Sequence, residues 1–317
     1  MKNRNSEADK NMKVSHTASR RYILVTAAKN EEKSLPGLIT SIINQSIKPS
    51  LWVIVDDGST DDTATIIKEA ELKHDWIKTI QLGESRRGSK SYANACIKGF
   101  EFAIEYCKIN GTQYEYIGLM DADTVPSTNY FEKLIEKFEK NPKLGIASGA
   151  IYYKGNNNEL IHEKGREDLP RGGLRIWRRK CFEETGGYLL TYSPDSVANI
   201  KAKLRGWETK QFKEIKILQT RKTSSAEGLW RGYKQKGISA YFLNLNPILA
   251  LLRGIGYLLF KKPYYTGIAY LCGYFGSFLR KQEQINDEEI RGYYYKNKFR
   301  EVRQYYFNLL KNKLKRK

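Results

Sequence analysis

Val53-Ile-Val-Asp-Asp-Gly-Ser-Thr60 and, further along, Tyr116-Ile-Gly-Leu-Met-Asp-Ala-Asp123 decide how this chain is read. Each is a short apolar run that stops abruptly at paired carboxylates. An apolar run of this length, bounded by Asp and Gly, reads as a buried parallel strand. Carboxylates just past such strands sit at the carboxyl edge of an open α/β sheet, where ligands bind. Asp56 and Asp57 at one strand end, with Asp121 and Asp123 at the other, converge on one crevice. That arrangement suits a divalent cation and a phosphorylated ligand.

Outward from these runs, strand and helix alternate. Residues 22–27 form a strand, and Ser34 caps a helix over 35–45 whose Leu35, Leu38, Ile39, Ile42 and Ile43 share a face. Asp61 or Asp62 caps a helix after the strand 51–55, and 76–82 is a more polar third strand. A long helix spans 89–107, and Ser127 caps a helix bearing Phe131, Leu134, Ile135 and Phe138. This rhythm predicts a mostly parallel α/β sheet with right-handed crossovers. After Leu144 the rhythm changes to an extended run over 144–153, a loop at 155–158, a glycine-led strand over 172–177 and a turn at Gly186-Gly187. Asp195 opens a helix through Ile200 and Leu204, and 210–218 alternates like a strand.

The 317 residues carry a formal charge of +20, so an anionic partner is expected. Four cysteines without CxxC spacing read as reduced thiols, and three scattered histidines lack metal-ligand spacing. Residues 1–20 read as a disordered polar tail without the apolar core of a signal peptide. Residues 21–223 are expected to form one α/β domain that carries the strand-end acids. From 224 to 317 the composition turns aromatic, glycine-rich and basic, and no stretch reaches the length of a spanning helix.

Asp121-Ala-Asp123, in an extended turn, directs two carboxylates to one side, where they can share Mg²⁺ or Mn²⁺. Such a cation neutralises a departing diphosphate. A solvated turn with helix-capping acids is the plainer alternative. Gly58 permits a tight turn, so that Asp56 or Asp57 can meet a base or ribose. Thr26-Ala-Ala-Lys-Asn-Glu-Glu32, then VDDGSTDDT over 55–63 and MDADTVP over 120–126, resemble the family 2 glycosyltransferases of GT-A fold. Arg87-Gly-Ser-Lys90 with Ala93-Asn94, and the segment from Gly172-Gly173 to Gly186-Gly187-Tyr188, are similar to further elements of that family. The resemblance covers about residues 22–220. It implies inverting transfer from a nucleotide-diphosphate sugar to a hydroxyl of a glycan or lipid-linked acceptor, or to a lipid phosphate, which would need no base. It also implies that Ala27, Glu31, Asp57, Lys90 and Asp121 bind the donor, and that Asp121 and Asp123 hold the metal.

Inverting transfer to a hydroxyl needs a carboxylate opposite the leaving group. Asp195 in Ser193-Pro-Asp-Ser-Val197 is the candidate base, although the Glu that usually precedes it is absent; helix capping is its plainer role. Leu229-Trp-Arg-Gly-Tyr-Lys-Gln-Lys-Gly237 stands where processive members carry Gln-x-x-Arg-Trp, which argues for transfer of single sugars. The amphipathic stretches 238–260 and 264–279, flanked by Arg253, Lys261 and Lys262, suit either a membrane surface or a helical hairpin against the catalytic domain. The expected location is cytoplasmic, peripheral on the inner face of the membrane. Two alternatives are a basic nucleic-acid-binding protein and a nucleotidyltransferase. Acids at strand ends oppose the first, and Lys29-Asn30-Glu31 in place of a glycine-rich loop opposes the second, so no nucleic-acid partner is expected.

Overall fold

In a computed structural model of the chain, residues 20–83, 89–154, 159–163, 166–219 and 228–303 are described. The polar tail up to residue 19, the Arg87-Gly88 helix start, the loop at 155–158, the composition shift near Ser224 and the basic end at 311–317 lie outside them. The strands are β1 (Tyr22–Ala28), β2 (Leu51–Asp56), β3 (Ile77–Gln81), β4 (Tyr116–Met120), β5 (Thr124–Pro126), β6 (Leu144–Lys154), β7 (Leu160–His162), β8 (Leu174–Arg178) and β9 (Glu208–Gln219). They join in one sheet of order β3-β2-β1-β4-β8-β6-β9-β5, with β7 on β6.

The first half is parallel as the alternating rhythm predicts, through β1–β2, β2–β3 and β1–β4. The second half is mixed: β6–β9 is parallel, whereas β4–β8, β6–β8, β6–β7 and β5–β9 are antiparallel. The expectation of a mostly parallel sheet therefore holds only for the first half. Among the described residues no helix separates β6, β7 and β8, and these strands pair antiparallel.

Strand periodicity sorts the core onto the two sheet faces. Tyr22, Leu24, Trp52, Ile54, Tyr116 and Met120 face helices α1 (Leu35–Ile43), α2 (Thr63–Lys73) and α4 (Tyr130–Lys140). Their alternates Ile23, Val25, Val53, Val55, Ile117 and Leu119 face α3 (Ser89–Ile109) and α5 (Arg179–Glu184). A Cβ on Gly99 of α3 would come 2.5 Å from Val25, so this helix lies with its backbone directly on β1. Each fully buried Leu, Ile or Val contributes about 1.5–3 kcal/mol, which makes this two-faced core the main source of stability.

The expected caps are partly displaced. Ser34 holds the N-cap position of α1 without a side-chain bond, and Asn129, not Ser127, precedes α4. Asp62 occupies the N-cap of α2, but Asp61 accepts the Thr63 amide at 3.1 Å and its hydroxyl at 2.6 Å.

The carboxyl third is helical: α6 (Pro194–Leu204) is followed after β9 by α7 (Leu229–Phe242), α8 (Pro247–Phe260), α9 (Tyr265–Leu279) and the short α10 (Glu288–Gly292). The predicted stretch 238–260 is thus two helices. A side chain on Gly237 would overlap the Tyr270 carbonyl, and one on Gly273 the Lys234 carbonyl, so α7 and α9 touch backbone to backbone. Val197 and Ile200 of α6 pack with Phe242, Leu243, Ile285 and Tyr293, and Lys201 pairs with Asp287 at 2.8 Å. The described part of the segment after β9 therefore packs against the sheet domain.

Candidate active site

The parallel strands deliver the motif residues to one edge. β1 is flanked by β2 on one side and β4 on the other, so strand order reverses there and a crevice opens at its carboxyl end. The loop after β1 is laced to the loop after β2. Asn30, at a positive φ of 54°, accepts the Thr60 amide at 2.8 Å, and the Glu31 amide donates to the Thr63 hydroxyl at 2.8 Å. Asn is among the few side chains that tolerate that backbone region. Gly58, at φ 70°, makes the neighbouring turn.

A cleft of about 1560 Å³ opens over this edge. Ala27, Glu31, Lys90, Asp121, Asp123 and Asp195 all line it. Asp57 does not: it is 5% exposed and sits a layer behind, with the Ser91 hydroxyl donating to its carboxylate at 2.7 Å. The structure thus gathers six of the seven predicted residues on one surface and sets the seventh beneath them. Lys90 reaches across the cleft mouth, over the Tyr192 ring at 4.8 Å and 3.9 Å from Glu283.

Asp121 is the electrostatic centre. Burial, reinforced by the carboxylates of Asp123, Asp195 and Glu31, pushes its pKa up to about 7, against the pull of the Tyr92 hydroxyl that donates to it at 2.5 Å. The Asp121 amide donates to the Gly173 carbonyl at 2.7 Å, tying the end of β4 to the entrance of β8. Asp123 accepts a long 3.5 Å bond from Gln219 at the end of β9.

Asp195 lies in the first turn of α6, where Ser193 holds the N-cap position, so the predicted capping role belongs elsewhere. Its side chain is 40% exposed. Behind it stands Arg175, fully buried in β8. The guanidinium lies 3.6 Å from the Asp195 carboxylate and donates to its carbonyl at 3.2 Å. It also donates to the carbonyls of Pro170, Arg171 and Gly172 at 2.6–3.0 Å. Tyr188 donates to the Asp195 carboxylate at 3.3 Å. Gly172 and Gly173 pass between the two acids: a Cβ on Gly172 would overlap Asp195, and one on Gly173 would overlap Asp121.

Arg175, Tyr92 and Tyr188 are contributions that motif reading missed. Arg175 had a signal, because a lone Arg inside the apolar strand Leu-Arg-Ile-Trp must have partners where it is buried. Tyr92 sits in the apolar pattern of α3, and its hydroxyl contact depends on where β4 ends.

No cluster of three or more His, Cys, Asp or Glu side chains suited to a metal is present among the described residues. Two oxygen donors nevertheless suit Mg²⁺ or Mn²⁺, which retain water and take further ligands from substrate phosphates. The crowding of carboxylates around Asp121 also favours a cation there. The residues present fit such an ion, which Asp121 and Asp123 would hold.

Comparison with known proteins agrees with this geometry. Poly-beta-1,6-N-acetyl-D-glucosamine synthase of Staphylococcus epidermidis is 33% identical over 138 residues, covering 44% of this chain and 30% of that enzyme. The synthase of Staphylococcus aureus (strain COL) is 28% identical over 123 residues, covering 39% and 26%. The matched part is less than a third of those relatives' length. Among solved structures, the mannosyltransferase PcManGT from Pyrobaculum calidifontis, in complex with GDP-Man and Mn²⁺, superposes with a TM-score of 0.52 at 14% identity, covering 80% of this chain and 69% of that one. TarS 1-349 of S. aureus gives 0.50 at 17% identity, covering 80% of each chain. These likenesses establish the fold, a mixed α/β sheet of GT-A type flanked by helices. The profile of Glycosyl transferase family 2 matches residues 23–238, and the chain belongs to that family of glycosyltransferases.

Proposed function

We propose that the chain transfers one sugar at a time, with inversion, from a nucleotide-diphosphate sugar to a hydroxyl of a cell-surface glycan or lipid-linked acceptor. The observation that carries this reading is the setting of Asp121 and Asp195 on either side of the Gly172-Gly173 passage, in one cleft. Ala27, Glu31 and the Asp57 layer beneath hold the nucleoside end, and Lys90 closes over the diphosphate. Mg²⁺ or Mn²⁺, when bound, offsets the charge of the departing nucleoside diphosphate. Asp195 takes the proton of the acceptor hydroxyl as its oxygen attacks the anomeric carbon from the opposite face. Arg175 and Tyr188 hold Asp195 at that position.

The N-acetylglucosamine in the relatives' name makes UDP-N-acetylglucosamine the first donor to test. Those relatives are named as polymer synthases, but the match covers less than half of this chain. The single-sugar reading rests on the sequence of α7, Leu229 to Phe242, which lacks Gln-x-x-Arg-Trp. We take the positive charge as directed to a membrane surface rather than to nucleic acid. Ile248, Leu251, Leu252, Ile255 and Leu259 are exposed along α8, beside Ile268 and Phe278 of α9, with Lys261 and Lys262 between the helices. No described helix is long and apolar enough to cross a membrane. The proposed location is therefore peripheral, on the inner face.

The test is thermal stabilisation by UDP-, GDP- and dTDP-sugars with Mn²⁺, followed by the transfer rate of Asp195→Asn. One donor should raise the melting temperature by mass action. The variant should keep that stabilisation and lose roughly 10²–10⁴ in rate. Loss of donor binding with the chemical step intact would remove Asp195 from the role of base.

A further inference from the structure

The cleft is larger than the roughly 300–1,000 Å³ that one small ligand needs, and its charge is divided along its length. The carboxylates lining it are Glu31, Asp121, Asp123 and Asp195, which all belong to the catalytic end already described. Beyond Asp195, where α7, α8 and α9 meet the helical segment Tyr293–Asn297, the lining carries Arg166, Lys203, Lys236, Arg253 and Lys298, and no carboxylate among the described residues lines this end.

Three of these cations are neutralised from behind. Arg166 and Lys203 both reach Asp168 at 2.6 Å, and Lys298 reaches Glu301 at 3.1 Å. Lys236 and Arg253 form no ion pair among the described residues. Lys236 lies over the Tyr233 ring at 4.5 Å, and burial together with Lys261 and Arg171 lowers its pKa, against the pull of Tyr233 and Glu163. A second, independent sign is the Tyr270 hydroxyl. Tyr270 lines this end and is 1% exposed, yet its hydroxyl has no hydrogen-bond partner. Arg253 approaches it without completing a bond. A buried hydroxyl without a partner is costly. An anion accepting from the Tyr270 hydroxyl and the Arg253 guanidinium would remove that penalty, and Lys236 lines the same end of the cleft.

We propose that Lys236, Arg253 and Tyr270 form a subsite for a phosphate group carried by the acceptor, separate from the diphosphate of the donor. The inference rests on the glycosyl-transfer reading for the word acceptor, but the anion site itself stands on its own residues. Guanidinium, ammonium and phenol hydroxyl are all donors, and phosphate oxygens take charge-assisted bonds from each. The phosphate belongs either to a lipid headgroup or to a water-soluble phosphodiester. The exposed apolar residues of α8, the helix that carries Arg253, offer an acyl or prenyl chain a surface beside the subsite.

The experiment uses the full chain and three probes: octyl phosphate, octyl glucoside as its neutral counterpart, and soluble oligo(glycerol phosphate). Binding is measured by calorimetry for the native protein, R253Q, K236Q and Y270F. Donor-induced thermal stabilisation is recorded in parallel. A phosphate-bearing probe should bind more tightly than octyl glucoside and weaken on the order of 10- to 100-fold in R253Q, the worth of a bond to a charged group. Preference for octyl phosphate assigns the site to a lipid, and preference for the oligomer assigns it to a soluble phosphodiester. Y270F, which removes one oxygen and no charge, should weaken the same probe with donor stabilisation unchanged. Anionic probes that bind no better than the glucoside, or equally well to native and R253Q protein, overturn the proposal. If R253Q weakens the phosphate probe while no nucleotide sugar stabilises the native chain, the anion site stands and the donor reading fails.

Discussion

Gly173 and Asp121 are packed backbone against carboxylate, with no room for a methyl group between them. The Asp121 amide donates to the Gly173 carbonyl, so the contact is fixed from both sides. Gly172 holds the same relation to Asp195. Alanine at either position must therefore turn one acid away, and the two variants should fail differently. Gly173→Ala should lose donor-induced stabilisation. Gly172→Ala should retain it and lose transfer rate by about tenfold or more, each 1.36 kcal/mol of barrier being tenfold. Identical kinetics in the two variants would contradict this division of labour.

Arg175 should matter to stability and rate together. Its buried guanidinium serves four backbone carbonyls and one carboxylate, and its removal leaves those acceptors without a donor. Arg175→Met should cost about 3 kcal/mol or more in denaturant unfolding. Arg175→Lys keeps the charge but not the forked geometry, and should recover only part of both losses. Full activity in Arg175→Met would show that Asp195 needs no support.

Asp123→Ala should abolish metal-dependent donor binding and leave the unfolding midpoint nearly unchanged, because the acid lies at a solvent-facing strand end. A chelator should reproduce the effect in the native protein. Turnover in chelator at the full rate would rule out the metal.

Vesicle binding should depend on the apolar row of α8. Leu252 and Leu259 are 56% and 61% exposed, so charge there costs little folding energy. Leu252→Glu with Leu259→Glu should lower co-sedimentation with anionic vesicles by at least about tenfold, since each leucine loses roughly 1.5–3 kcal/mol of burial. Salt should weaken native binding without eliminating it, at about 1 kcal/mol per basic residue near the surface. Equal binding by the native chain and the double variant would make the row a surface for something else.

Gly237→Ala should loosen the carboxyl third. The substituted methyl would meet the Tyr270 carbonyl, which is backbone and cannot swing aside. Separation of α7 from α9 should expose the Tyr270 site, seen as faster amide exchange in both helices while β1, β2 and β4 stay protected.

Much of the first half was legible because its signals are local. Apolar runs of strand length, broken by acids and followed by helical periodicity, require a parallel sheet, and strand-end carboxylates fall on one edge whatever the details. Three features were not legible. The antiparallel direction of β8 was one, since alternation alone does not encode direction. Asp57 differs from Asp121 only in depth, which the packing of Ser91 and α3 determines. The splitting of 238–260 into α7 and α8 occurs at Asn244, whose positive φ of 61° breaks the helix where Leu245 turns inward.

The sequence by itself determined which residues carry charge to the sheet edge, because two-residue periodicity and chain reversal at Gly and Asp are properties of short segments. Tertiary structure alone decided which of them act together. Arg175 lies twenty residues before Asp195, and Tyr92 twenty-nine before Asp121. The Lys236, Arg253 and Tyr270 cluster draws one residue from each of three helices. Such neighbours arise when packing of α3, β8 and α7–α9 brings distant segments together. The driving force is non-directional burial of apolar surface, which leaves no local trace in the sequence of the polar groups it aligns.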